Sequence, residues 1–71
     1  MNKLFKKLQT LQNVYQVLWK AINTPDVGMS VYPDGTSCII VQHFESKESC
    51  IPTQSTVLEF KKPEDLERWI D

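Results

Sequence analysis

The chain has 71 residues with a formal net charge of −1, and 41% of the residues are hydrophobic and 24% charged. These values are ordinary for one small globular domain, and two glycines with four prolines leave little room for disorder. No apolar run approaches the roughly 20 residues that a membrane-spanning helix needs. We therefore expect a cytoplasmic protein with no transmembrane segment, in which both cysteines stay reduced and no disulfide framework forms.

The N-terminal segment predicts a long amphipathic helix over residues about 2–23. Its apolar residues recur at alternating gaps of three and four, which places them on one stripe of a helix. The stripe consists of Met1, Leu4, Leu8, Leu11, Tyr15, Leu18 and Ile22, and it is widened by Phe5, Val14 and Trp19. We expect the helix to end near Asn23, because Pro25 disfavours helical geometry in the residue before it.

Residues about 27–44 predict a β-hairpin. Residues 33–35, Pro-Asp-Gly, separate two β-prone runs and suit a type I turn with glycine in the left-handed position. A three-residue loop places Tyr32 opposite Thr36 and fixes the register of the whole hairpin. One face then carries Val27, Met29, Val31, Ile39 and Val41, and the other carries Ser30, Tyr32, Cys38, Ile40, Gln42 and Phe44.

The C-terminal third predicts a polar connection, a third strand at about 55–60 and a short helix at about 63–70. Pro63 suits the first position of that helix, and the acidic residues Glu64 and Asp65 suit its positive N-terminus. The complete order is α-β-β-β-α. We expect one small α+β domain, residues 1–71, with a three-stranded antiparallel sheet and both helices packed on the face that bears Val27 and Ile39.

The sequence offers little for catalysis or for metal binding. His43 is the only histidine, and it is expected at the end of the helix-covered face, whereas Cys38 on the same strand points to the other face. Cys50 is expected to be simply buried, since no lysine or arginine flanks it and no helix start lies beside it to activate the thiol. No paired metal-ligand spacing and no glycine-rich phosphate loop is present. The prediction is a non-enzymatic protein without cofactor or metal.

Charge is distributed unevenly along the chain. The first 22 residues contain four lysines and no acidic residue, whereas the remainder contains nine acidic and four basic residues. We expect the lysines to keep the outer helix face soluble and to complement acids elsewhere in the fold. As an alternative, Lys3, Lys6 and Lys7 contact an anion or a nucleic acid. A further alternative places the amphipathic helix on a membrane surface.

The second face of the sheet is less polar than a solvated sheet surface should be. This apolar character suggests a protein-protein interaction module, such as a small regulator or inhibitor that binds a larger protein. We expect that the protein can also form a homodimer. The expected contact residues are Tyr32, Cys38, Ile40, Gln42 and Phe44. The alternative is that the connection through Ile51 and Val57 folds over this face and covers it.

Overall fold

A three-stranded antiparallel sheet, with its strands in chain order, organises the fold in the computed structural model, which describes residues 2–71. Its elements are α1 (Lys3–Leu18), β1 (Asp26–Val31), β2 (Ser37–His43), β3 (Gln54–Phe60) and α2 (Pro63–Ile70). The predicted α+β class and the order α-β-β-β-α are confirmed. Because the sheet is open, β1 and β3 are its two edges.

The turn between β1 and β2 has the predicted geometry. The backbone N–H of Tyr32 donates to the carbonyl of Thr36 at 2.9 Å, and Gly35 takes the left-handed conformation with φ of 95°. Asp34 Oδ1 accepts from the backbone N–H of Thr36 at 3.0 Å and from its hydroxyl at 2.6 Å. The predicted register follows, with the pairs Val31–Ser37, Met29–Ile39 and Val27–Val41.

The core lies between the sheet and the helices and is centred on β2. Ile39 and Val41 are completely buried there. Aromatic contacts attach the helices to this face: the rings of Phe60 and Trp69 lie 5.7 Å apart, and those of Trp19 and His43 lie 6.3 Å apart. No residue of α1 or α2 within the described chain is fully buried. The domain therefore has a very small core.

Val31 does not join this core, although the alternation of β1 assigns it to the helix-covered face. Its side chain is exposed. Val31 ends an edge strand next to the turn, so it has a strand neighbour on one side only. The packing prediction is correct for Ile39 and Val41 and wrong for Val31.

The first helix ends at Leu18 rather than near Asn23. Lys20 adopts φ of 50°, and its N–H bonds the carbonyl of Val17 at 3.1 Å while the N–H of Ala21 bonds that of Gln16 at 2.9 Å. This pair of bonds is a Schellman motif, which reverses the chain after the last helical turn. The reversal occurs five residues before Pro25, so Pro25 does not determine where the helix ends.

Because α1 ends at Leu18, the apolar residues that face the sheet differ from those predicted. Trp19 takes a half-buried place, whereas Leu18 and Ile22, expected on the buried stripe, are exposed. The flanking residues Phe5 and Val14 are exposed as well. The stripe is confirmed for Leu4, Leu8, Leu11 and Tyr15, which are half-buried, and Met1 lies outside the described residues.

Candidate protein-binding face

The side of the sheet away from the helices forms a surface that we call the open sheet face. By the alternation of the three strands it carries Asp26, Gly28, Ser30, Tyr32, Cys38, Ile40, Gln42, Ser55, Val57 and Glu59. Four of the five predicted contact residues, Tyr32, Cys38, Ile40 and Gln42, lie on it. The fifth, Phe44, follows β2 directly at the end of this face.

A row of three residues crosses the middle of the open sheet face. Ile40 on the central strand pairs with Gly28 on one side and with Val57 on the other. A Cβ atom built on Gly28 would have no heavy atom within 4 Å, and Val57 is 52% exposed. The missing side chain at Gly28 leaves a depression beside Ile40.

Cys38 and Tyr32 form a polar contact at one end of the face. The hydroxyl of Tyr32 lies 3.9 Å from Cys38 Sγ, and Cys38 is nearly buried between its strand partners Ser30 and Glu59. The hydrogen bond with Cys38 is the main reason that the pKa of Tyr32 lies above its ordinary value of 10.0. The half-exposed phenol therefore stays protonated at neutral pH and keeps a hydrogen to donate.

A cavity of about 420 Å³ lies at the other end of the face, between the segment before β1 and the loop after β2. Gln42 and Phe44 line it, joined by polar residues that sequence reasoning missed. These additional residues are Asn23, Thr24, Asp26, Ser46, Lys47 and Ser49. Only the pairing of Asp26 with Gln42 follows from the hairpin register; the loop residues meet through tertiary folding, which periodicity does not reveal.

The connection between β2 and β3 returns at the end of the strands and leaves the centre of the open sheet face uncovered. Thr53 donates to the carbonyl of His43 through its backbone N–H at 2.8 Å and through its hydroxyl at 3.0 Å. Because that hydroxyl proton is engaged, His43 Nδ1, 3.2 Å from Thr53 Oγ1, acts as the donor. Ile51, Val57 and Tyr32 remain exposed.

The groups that could support nucleophilic or metal chemistry are separated. Cys38 and His43 lie on opposite faces of β2, as the alternation predicts. Cys50 is exposed rather than buried, because it lies in the connection between β2 and β3, outside the core under the helices; both cysteines are free thiols. Within residues 2–71, no three His, Cys, Asp or Glu side chains come together in a way that could hold a metal ion.

The three N-terminal lysines line a groove of about 340 Å³ between α1 and the end of α2. The ammonium of Lys3 lies 3.7 Å from a carboxylate oxygen of Asp71, and that of Lys7 lies 5.2 Å above the ring of Trp69. Lys6 lines the same groove. Among these three lysines, Lys3 pairs with an acidic residue, and Lys7 lies over an aromatic ring of α2 instead.

The chain matches no protein-family model, no curated protein and no solved structure. Among the helices of the described residues, none combines the length and the apolar character required to cross a membrane.

Proposed function

We propose that this protein is a non-enzymatic protein-binding module that acts as a small regulator or inhibitor by occupying a surface of a larger protein. The observation that supports this most directly is the open sheet face, on which Tyr32 and Val57 remain exposed beside the Gly28 depression. The free thiols of Cys38 and Cys50 suit a reducing compartment. We therefore place the function in the cytoplasm.

The chemistry of the open sheet face indicates what kind of partner surface would fit it. Its central row accepts an apolar side chain, and the Tyr32 phenol and the Gln42 amide offer hydrogen bonds on either side. Asp26 and Glu59 add carboxylates on the two edge strands. A partner surface with an apolar centre and lysine or arginine at its rim is complementary to this arrangement.

The test replaces Val57 with glutamate. Val57 is half-exposed on an edge strand, so the fold tolerates the change, while the new carboxylate lies beside Ile40. The matched control is Ile51→Glu, which adds the same charge at an exposed position outside the face. Each variant is immobilised, proteins retained from the native host are identified, and the affinity of each purified candidate is measured by calorimetry.

A specific partner should bind the unaltered protein and Ile51→Glu equally and should bind Val57→Glu at least about tenfold more weakly, because an unpaired carboxylate would be buried at the contact. Equal binding by both variants would show that the open sheet face is not the site. In that case a photocrosslinking residue at Tyr32 should also fail to label the partner.

The alternative function is nucleic-acid binding through Lys3, Lys6 and Lys7, favoured by their common groove. It predicts a salt-sensitive affinity for DNA or RNA that disappears when the three lysines are changed together to glutamine. The ion pair of Lys3 with Asp71 weakens this alternative, since it already engages one of the three charges. Fluorescence anisotropy at low salt measures this affinity, and a lack of binding at low salt would rule out the nucleic-acid alternative.

A further inference from the structure

The outer edge of β3 carries unpaired backbone groups that can be assigned residue by residue. The N–H of Tyr32 bonds the carbonyl of Thr36, so the even-numbered residues of β2 direct their backbone groups toward β1, because these directions alternate along an antiparallel strand. The odd-numbered residues of β2 therefore bond β3, in agreement with the bond from Thr53 to the carbonyl of His43. Their partners on β3 are even-numbered. The residues whose N–H and C=O groups point to the free edge are Ser55, Val57 and Glu59.

The β3 edge lacks the features that usually keep exposed strands from pairing. Lysine, proline and bulges serve this purpose in natural sheets, yet β3 contains no lysine and no proline, and its pairing with β2 continues without a bulge from Gln54 to Phe60. Glu59 is its only charged residue. Val57 on the open sheet face is 52% exposed, and Leu58 on the helix-covered side is only half-buried. Apolar surface is therefore left open on both sides of this edge.

We propose that β3 of a second copy of this chain pairs antiparallel with the β3 edge across a twofold axis at Val57, forming one continuous sheet through both copies. Val57 is the central residue of β3, so only this register pairs the strand over its whole length. Val57 then lies opposite Val57 of the second copy, and Ser55 lies opposite Glu59 of the second copy. Each free N–H and C=O group of the edge gains a partner in this arrangement.

The side chains of β3 favour a second copy over an unrelated strand, because in this register the strand is complementary to itself. The Ser55 hydroxyl of each copy is opposite the Glu59 carboxylate of the other and can donate to it. The two Glu59 carboxylates lie four positions apart along the joined strands, about 13 Å, which exceeds a Debye length of about 8 Å. A twofold axis at Glu59 would instead bring both carboxylates together. Lys61, just beyond β3, lies opposite the uncharged Thr53 of the second copy.

The other edge of the sheet is less suited to such pairing. β1 has Gly28 near its middle, and glycine weakens a strand and supplies no side chain for a cross-strand contact. In contrast, β3 contains Thr56, Val57 and Phe60, residue types that favour strands.

The twofold axis is perpendicular to the joined sheet, so the helices of both copies lie on one side and the two open sheet faces join on the other side. The open sheet faces stay free for a partner. The inference therefore goes beyond the proposed function. Tyr32→Glu separates the two, because Tyr32 lies on the open sheet face and outside β3.

The first test measures mass by sedimentation velocity on the full chain from about 5 µM to about 500 µM, where we expect a concentration-dependent dimer. Ser55→Glu places like charges opposite each other at two symmetric positions and should weaken dimerisation about fivefold, whereas Ser55→Lys should strengthen it by a similar factor. Adding Glu59→Lys to Ser55→Glu should restore the dimer. The control is Phe5→Glu, a new carboxylate on α1 where Phe5 is 62% exposed. It should leave the dimer intact.

A second test addresses the backbone groups of the edge. Val57→Pro removes an N–H that points out of the sheet, so the pairing with β2 is kept while dimerisation should weaken at least about 100-fold. Amide hydrogen exchange followed by NMR should show the N–H groups of Ser55, Val57 and Glu59 becoming protected as the concentration rises. The outward amides of β1, those of Val27, Met29 and Val31, should not respond to concentration.

A monomer at every concentration overturns the proposal. A dimer that persists in folded Val57→Pro, or that does not respond to the sign of the charge at residue 55, overturns it as well. If Tyr32→Glu removes the dimer, the contact belongs to the open sheet face and the proposal is wrong. It is also wrong if the β3 amides become protected only when an extended peptide of another protein is added to a chain that stays monomeric.

Discussion

Replacing Ile39 with alanine should remove a large part of the stability of this domain. Ile39 is completely buried at the centre of β2, between Met29 and Leu58 on the neighbouring strands. Three carbon atoms are lost, which at about 0.8 kcal/mol each contribute about 2.4 kcal/mol of lost transfer free energy. The cavity left behind adds about 1 kcal/mol, giving a total of about 3.5 kcal/mol.

This loss of stability is large relative to the total free energy of unfolding. A domain of this length is expected to have a free energy of unfolding of about 4–11 kcal/mol. Urea unfolding followed by circular dichroism at one fixed protein concentration measures the difference, because association would otherwise shift the midpoint. The denaturant slope should stay unchanged. If Ile39→Ala does not fold, Ile39→Val should still lose about 1 kcal/mol.

Ile40→Ala provides the matched control on the same strand. Ile40 is only half-buried and faces away from the helices, so the same truncation should cost about 1 kcal/mol. The reasoning about the core is refuted if Ile40→Ala costs as much as Ile39→Ala, or if Ile39→Ala costs less than about 1 kcal/mol.

Three further outcomes are expected. The hydrogen bonds from Thr36 hold the pKa of Asp34 below its ordinary value of 3.8. The ionised carboxylate therefore stabilises the turn above that pH, and this stabilisation is lost as the pH falls through the lower pKa of the folded state. Acid titrations should show that the difference in stability between the unaltered protein and Asp34→Ala shrinks below about pH 4. Lys20→Gly should raise the free energy of unfolding by about 0.5–1 kcal/mol, because glycine accepts the left-handed conformation without strain, and a loss of stability would contradict the Schellman assignment. A thiol reagent should modify the exposed Cys50 at once and the nearly buried Cys38 only after unfolding; two fast thiols would contradict that burial.

The hairpin was predictable because its turn specifies its register. Residues 33–35 fix where the chain reverses, and the period of two then assigns every side chain of β1 and β2 to a face. The same logic located the open sheet face at Tyr32, Cys38, Ile40 and Gln42. The period of two does not show that a residue at the end of an edge strand lacks covering neighbours. For this reason it places Val31 in the core, although Val31 is exposed.

The end of α1 and the polar cavity were not predictable from local patterns. A Schellman motif usually has glycine where this chain has Lys20, so the sequence carries no stop signal before Pro25. The cavity beside Phe44 is assembled from two loops that approach each other only after the sheet forms. Apolar periodicity is insensitive to both features, because neither a left-handed Lys20 nor the meeting of two loops changes the spacing of apolar residues.

The strand order has a consequence for the speed of folding. Since β1, β2 and β3 are neighbours both in the sheet and along the chain, every strand pairing closes a short stretch of polypeptide at little entropic cost. Predominantly local strand pairing of this kind favours fast folding. The ion pair of Lys3 with Asp71 and the contact of Lys7 with the Trp69 ring join the first helix to the C-terminal end of the chain. We expect these contacts to form last, after the sheet has already placed the two helices side by side.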